Sequence, residues 1–117
     1  MAGARSKYGN RQDSTHDECK LQLSMLPGSQ VIDTSGLGDD FPDLIFGLRA
    51  AWYLVEVKAP GGTLSKGQKR FHATAVGPTA VVRDKAECLA LAQSIYEGRG
   101  VPLQLRPPRQ LWARDVR

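Results

Sequence analysis

Long apolar segments are missing from this sequence. No run of apolar residues approaches the roughly 20 residues that a membrane-spanning helix needs. The N-terminal stretch MAGARSKYGNRQ has basic residues but lacks the apolar centre of a secretory signal. No segment repeats elsewhere in the chain. We therefore expect a cytoplasmic protein with no membrane partner.

Cysteine is also scarce. The 117 residues include two, Cys19 and Cys88, which lie far apart in the sequence and lack the spacing of a metal site. Each falls on the apolar face of a predicted helix, so we expect two reduced cysteines in the protein core. The chain length corresponds to one domain that is large enough to bury a core.

Acidic residues are absent from the first 12 residues, which carry three basic side chains. Residues 99–117 carry five arginines against a single aspartate, whereas residues 13–98 carry eight Lys or Arg and eleven Asp or Glu. These differences predict a basic arm at residues 1–12, a folded domain at 13–97 and a basic, proline-containing tail at 98–117. Basic ends favour a polyanionic partner such as nucleic acid, with solvated ends as an equal alternative.

Local patterns predict the element order α-β-β-β-α-β-α, a mixed α/β sheet flanked by helices. The strands are expected at residues 29–34, 41–47, 51–58 and 79–83. The helices are expected at residues 14–26, 65–76 and 85–97. The first three strands are close enough in sequence to pair as a meander.

Helix ends and apolar stripes support these three helices. Asp13, Ser14 and Thr15 are N-cap candidates for the first helix. Ser65 with Gln68, and Asp84 with Glu87, have the spacing of capping boxes. The buried stripe of the first helix is predicted to comprise Cys19, Leu23 and Leu26, and that of the last helix Cys88, Leu89, Ala92, Ile95 and Tyr96.

The third predicted strand lies within AWYLVEVKAP, residues 51–60, and ends in charged residues although it is the most hydrophobic strand. Side chains alternate across a strand, so Glu56 and Lys58 share one face. If the second and third strands form a hairpin around residues 47–50, Asp43 lies opposite the end that carries Glu56. Two carboxylates would then meet at one edge of the sheet, where a divalent cation relieves their repulsion.

This set of residue types suits one kind of chemistry. Carboxylate oxygens with a backbone carbonyl and waters are ligands for Mg²⁺ or Mn²⁺. A lysine beside such a site can hold an attacking water or stabilise a charged phosphate transition state. That chemistry is phosphodiester hydrolysis. Glu56 and Lys58 alone are also typical of a surface ion pair or of a protected sheet edge, and Pro42-Asp43 at this distance favours the metal site.

Three segments in one order, PDLIFG, WYLVEVKAPGGTLSKGQKRFH and GPTAVVRDKAECLAL, resemble the VRR-NUC domain, the virus-type replication-repair branch of the PD-(D/E)XK nucleases. Pro42-Asp43 matches the Pro-Asp of the superfamily name, and Glu56-Val57-Lys58 matches its Glu-x-Lys. The LS..Q..FH stretch of small phage and bacterial members is matched by Leu64, Ser65, Gln68, Phe71 and His72. The resemblance covers about residues 11–97 and implies a restriction-endonuclease-like core.

The resemblance also implies roles for individual residues. Asp43 and Glu56 would bind the metal, with the backbone carbonyl of Val57 as a third ligand. Lys58 would position the nucleophilic water or balance charge. Gln68 would orient a substrate phosphate or Lys58, and it can also serve only as a capping-box residue.

Other carboxylates leave alternatives open. Many superfamily members place a Glu on the first helix near the metal, and Glu18 is the best match. Glu18, with Asp17 beside it, can instead stabilise the start of that helix. Thr15 stands where relatives often carry Asn. Asp39 and Asp40 are expected in solvent rather than at the metal.

The helix of Gln68 carries further candidates. Lys66, Lys69 and Arg70 are candidate DNA contacts, with an ordinary solvated face as the alternative. His72 is expected to pack in the fold or to support the site rather than to bind the metal.

These interpretations converge on a Mg²⁺- or Mn²⁺-dependent endodeoxyribonuclease for branched DNA. Stand-alone VRR-NUC proteins of this size resemble dimeric Holliday-junction resolvases, and symmetric cutting of two strands needs two copies of the site. We therefore expect a homodimer, with apolar strand faces and Leu111-Trp112 as candidate contacts, in the host cytoplasm if a phage encodes it. The alternatives are a nicking, flap or restriction-like nuclease with the same site, and a DNA-binding module without catalysis.

Overall fold

The computed structural model describes residues 9–38 and 40–108, with side chains described from residue 14 onwards. Its helices are α1 (Gly9–Ser24), α2 (Lys66–Thr74) and α3 (Lys85–Tyr96). Its strands are β1 (Gln30–Asp33), β2 (Leu44–Leu48), β3 (Ala51–Val57) and β4 (Thr79–Val82), and a short 3-10 helix spans Leu103–Leu105. The predicted Asp39 and Leu111-Trp112, and most of the basic arm, lie outside the described residues. Within the described ranges, no helix is both long and apolar enough to cross a bilayer.

The four strands form one mixed sheet in the order β1-β2-β3-β4. β1, β2 and β3 are antiparallel neighbours, whereas β4 runs parallel to β3. Parallel pairing requires a crossover, and α2 supplies it between β3 and β4. The predicted α-β-β-β-α-β-α order and the mixed sheet are confirmed.

A two-residue turn joins β2 to β3. Leu48 pairs with Ala51, and Arg49 and Ala50 both adopt positive φ angles, 52° and 66°. This combination is that of a type I′ turn, whose twist suits a hairpin. The Arg49 guanidinium donates to the carbonyl of Tyr96 and lies 4.8 Å from the centre of the Tyr96 ring. The hairpin is thus tied to the end of α3.

One face of the sheet packs on α1 and α3, which also contact each other. Apolar residues of the strands alternate onto this face, as period-two patterning requires. They include Leu44, Phe46, Val55, Val57, Ala80 and Val82. Cys19 of α1 and Cys88 of α3 both lie in this core, each 0% exposed. The predicted pair of free, buried cysteines is confirmed.

The start of α1 was predicted wrongly. The helix begins at Gly9, so Asp13, Ser14 and Thr15 lie inside it and are not N-caps. Residues 9–13 contain no proline, and packing of Cys19 and Leu23 stabilises the helix as a whole. Such tertiary packing outweighs a local preference for capping.

The buried stripe of α3 also differs from the prediction. Leu89 and Tyr96 are exposed, and Leu91 is fully buried. The residues that face the core are Cys88, Leu91, Ala92 and Ile95, which follow the i, i+3, i+4, i+7 spacing of one helix face. The predicted stripe was therefore partly wrong.

The predicted capping box forms completely at Ser65 and only in part at Asp84. Ser65 accepts a hydrogen bond from the Gln68 N–H at 3.1 Å, and Gln68 accepts one from the Ser65 N–H at 2.8 Å. At α3, Asp84 accepts from the Glu87 N–H at 2.9 Å. Glu87 accepts from the N–H of Arg83 at 2.7 Å rather than from that of Asp84.

The packed region continues past α3. Gly98, with a φ angle of 80°, ends that helix, and Val101 and Leu105 are only 5% and 3% exposed in the shared core. The sequence assigns this segment to the tail because it has no periodic pattern. In the structure, buried residues continue beyond residue 97 as far as Pro107.

Candidate functional site

Two carboxylates meet where β2 begins and β3 ends. The N–H of Asp43 donates to the carbonyl of Val55 at 3.0 Å, which extends the β2–β3 pairing by one position and places Asp43 beside Glu56. The Asp43 carboxylate in turn accepts from the N–H of Val57 at 2.8 Å. The hairpin expected from the sequence thus brings the two acids together.

The environment of Glu56 disfavours its charged form. Glu56 is only 1% exposed. This burial raises the pKa of Glu56 to about 9, and Asp43 adds to the rise through its charge and a hydrogen bond, whereas Lys58 acts in the opposite direction. Because Glu56 is buried beside another carboxylate, both acids remain charged only if a cation lies between them, and otherwise one of them holds a proton.

Two side chains of α2 contact the Glu56 carboxylate. Gln68 donates from Nε2 to Glu56 Oε2 at 3.1 Å, and the His72 Nε2 lies 3.4 Å from Glu56 Oε1. Gln68 keeps its capping role through its other amide atom, so the capping interpretation is confirmed. Its contact with Glu56, rather than with Lys58, was not predicted.

The loop before Asp43 is held from two sides. Thr34 donates from its hydroxyl to the carbonyl of Pro42 at 2.7 Å and from its N–H to the carbonyl of Asp43 at 2.8 Å. The Phe41 ring packs edge-on against that of Phe71 in α2, with centroids 5.5 Å apart. Sequence reasoning missed Thr34, because a threonine that follows a strand has no distinctive local pattern.

Lys58 lies at the end of β3, on the face that carries Glu56. Its N–H donates to the carbonyl of Val82 at 2.9 Å, one position beyond the β3–β4 pairing. Arg83 donates from Nε to the carbonyl of Gly62 at 2.8 Å. This bond braces the turn that follows Lys58 against the end of β4.

Glu18 makes a hydrogen bond within its own helix, α1. Its carboxylate accepts from Gln22 at 2.7 Å. In the part of the chain that the structure describes, no three His, Cys, Asp or Glu side chains form a group that could hold a metal. The suggested metal role of Glu18 stays a prediction.

The start of α2 faces outward and is mostly basic. Lys66, Lys69 and Arg70 are exposed, which is compatible with either interpretation of them. Asp40 is exposed, as predicted, and its carboxylate rests against Gly67 so closely that a side chain at position 67 would collide with it. A carboxylate at the N-terminus of a helix is favourable.

The donor set fits a hard divalent cation. Asp43 and Glu56 supply carboxylate oxygens. Because the two carboxylates are adjacent and repel each other, a cation bound between them would be stabilised. Mg²⁺ typically binds through one or two such carboxylates and keeps several waters. Asp43 and Glu56 would hold the metal, with the Val57 carbonyl as the proposed third ligand.

Comparison with known proteins identifies the fold. A solved structure described as a VRR_NUC domain superposes with a TM-score of 0.62 and 23% sequence identity, over 73% of this chain and 97% of that one. No family model matches the chain, and no curated protein matches it significantly. The similarity in structure confirms the fold that the resemblance in sequence implied.

Proposed function

We propose that this protein is a DNA endonuclease that hydrolyses phosphodiester bonds with Mg²⁺ or Mn²⁺ at Asp43 and Glu56. The pairing of these two carboxylates at the ends of the two central strands carries the proposal, because a charged, buried Glu56 beside Asp43 is costly without a cation. The solved structure with the same fold is described as a VRR_NUC domain, and this description supports the proposal of a nuclease.

Different residues of the chain would have different roles around the scissile phosphate. A bound Mg²⁺ or Mn²⁺ would supply Lewis acidity and a more acidic water. Lys58, on the same strand face as Glu56, would hold the attacking water or offset the negative charge that develops on the phosphate. Gln68 would keep Glu56 oriented, since its amide contacts Oε2.

DNA would approach the exposed basic start of α2. Lys69 and Arg70 lie within two residues of Gln68, which contacts Glu56, so phosphates bound there would be near the site. Contacts to phosphate position the duplex without reading its sequence. We therefore expect binding that depends strongly on salt and weakly on sequence.

The proposal further specifies branched DNA as the substrate and a homodimer as the active form. They follow from the resemblance to small VRR-NUC proteins, and an apolar surface supports the dimer. Ile32 and Trp52 are exposed, Trp52 by 51%, on the sheet face opposite the α1–α3 core. Exposed apolar patches of this kind often mark protein contacts. Light scattering on the purified protein would distinguish a dimer from a monomer.

Cleavage of a panel of DNAs tests the proposal. Four-way junctions, flaps, nicked duplexes and plain duplexes would be incubated with Mg²⁺ or Mn²⁺, and with EDTA as the metal-free control. We expect cleavage of the four-way junction that EDTA abolishes. Asp43→Asn should remove cleavage and retain DNA binding. Glu97→Gln, a similar loss of charge at an exposed residue at the end of α3, should leave cleavage unchanged.

The alternative, a DNA-binding module without catalysis, predicts a different result. It predicts DNA binding without cleavage of any substrate, whichever metal is present. Lys69→Ala with Arg70→Ala should lower the slope of log affinity against log salt by roughly two if each contacts one phosphate, and Lys85→Ala should not. Deleting residues 109–117 tests the basic tail without removing the buried Val101 and Leu105.

A further inference from the structure

We propose that His72 is a positioning residue that donates from Nε2 to Glu56 and, together with Gln68, holds this carboxylate in the orientation that binds metal. The inference rests on the proposed function, because the metal concerned is the one assigned to Asp43 and Glu56. His72 is four residues after Gln68 on α2, so the two side chains project from the same helix face.

Gln68 and His72 each contact a different oxygen of the Glu56 carboxylate. Gln68 donates to Oε2 at 3.1 Å, and His72 faces Oε1 at 3.4 Å. His72 is 0% exposed and Glu56 1% exposed, so bulk water does not compete for these contacts. A carboxylate held at both oxygens has lost the freedom to rotate about its terminal bond.

The position of α2 is itself well defined. The Ser65–Gln68 capping box fixes its first turn, and the Phe41–Phe71 contact joins it to the loop that carries Asp43. His72 therefore presents its ring to Glu56 from a rigid support. A neutral imidazole carries one N–H, and donation to Glu56 requires that proton on Nε2.

Orientation of a metal ligand has a measurable effect on metal affinity. Loss of a hydrogen-bonding partner behind a ligand typically weakens metal binding by about 10–100-fold. His72→Leu fills much of the space without a donor, whereas His72→Gln places an amide N–H near the position of Nε2. The comparison of these two variants separates hydrogen bonding from filling of the core.

The test is calorimetric titration of Mn²⁺ into the free protein, with melting temperatures measured on the same samples. We expect affinity to fall about 10–100-fold in His72→Leu and to stay within about threefold of the original protein in His72→Gln. Equal affinity in His72→Leu and the original protein would overturn the proposal. So would equal losses of affinity in both variants at matched stability.

A second measurement does not need a variant at position 72. The chain contains two histidines, so His16→Asn leaves His72 as the sole imidazole for ¹⁵N NMR of the ring at saturating Mg²⁺. We expect a proton on Nε2, and an Nε2 without a proton would overturn the proposal. Tight Mn²⁺ binding without DNA cleavage would count against the nuclease proposal alone, whereas absence of Mn²⁺ binding would overturn both.

Discussion

The backbone N–H of Val57 donates a 2.8 Å hydrogen bond to the carboxylate of Asp43, a residue 14 positions earlier in the chain. This bond joins the start of β2 to the end of β3 directly beside Glu56. It keeps the Asp43 carboxylate at the ends of the two central strands, where its charge acts on Glu56. The stability of the metal-free protein and the proposed metal site therefore depend on the same pair of acids.

Glu56→Gln should stabilise the metal-free protein. The pKa of Glu56 rises from 4.5 to about 9 on folding, so between these values the folded state binds more protons than the unfolded state. Stability then falls as pH rises from about 4.5 to about 9. The variant should lose this part of the pH dependence and gain at least about 1 kcal/mol at pH 8 in EDTA.

Urea denaturation across that pH range checks the expectation, with Glu97→Gln as the control for an exposed carboxylate. Added Mg²⁺ should stabilise the original protein and not the Glu56 variant, because a ligand that binds only the folded state stabilises it. An unaltered pH profile in Glu56→Gln would contradict the assignment of the raised pKa.

Thr34→Val should affect both stability and catalysis. The variant keeps the shape of the side chain but loses the 2.7 Å hydrogen bond to the Pro42 carbonyl. Loss of a buried hydrogen bond costs about 1–3 kcal/mol when a partner is left unsatisfied. We also expect slower DNA cleavage, since Asp43 follows Pro42. Thr34→Ser retains the hydroxyl, so its free energy of unfolding in urea and its cleavage rate should be close to those of the original protein. A Ser variant as impaired as the Val variant would argue against a supporting role of the Thr34 hydroxyl.

The two cysteines should be unreactive in the folded protein. The neighbouring Cys88 thiol, followed by burial, raises the pKa of the Cys19 thiol well above its usual range. Only the thiolate reacts rapidly with disulfide reagents. Both thiols are 0% exposed, so Ellman's reagent at pH 8 should label neither in native protein and both in denaturant. Rapid labelling of native protein would show that α1 and α3 separate more readily than their packing indicates.

Ala50→Gly should stabilise the β2–β3 hairpin. Ala50 has a φ angle of 66°, and a left-handed conformation costs a residue with a side chain about 1–2 kcal/mol. Glycine avoids that cost but loses about 0.5–1 kcal/mol through greater freedom in the unfolded chain. We expect a net gain of roughly 0.5 kcal/mol in thermal or urea unfolding. Ala51→Gly, one residue later in the strand, is the matched control and should destabilise the protein.

Much of the fold could be predicted because its signals are local. Two helix starts are predicted by capping residues, Ser65 with Gln68 and Asp84 with Glu87. The aromatic and β-branched residues within 51–57 predict a strand. The predictions failed where packing outweighs local preference. α1 extends past its apparent cap at Ser14, and Val101 and Leu105 join the core from a segment without periodicity.

The sequence by itself determined the order of the elements, the hairpin that faces Asp43 toward Glu56, and the types of residue available for metal chemistry. Spacing along the chain is enough for these features, because strand alternation and short turns fix which residues lie opposite each other. Only the tertiary structure decided that Thr34 supports the Asp43 loop, that His72 and Gln68 share the Glu56 carboxylate, and that Cys19 meets Cys88. These contacts join separate segments of the chain, and their geometry is set when α1, α2 and α3 pack on the sheet.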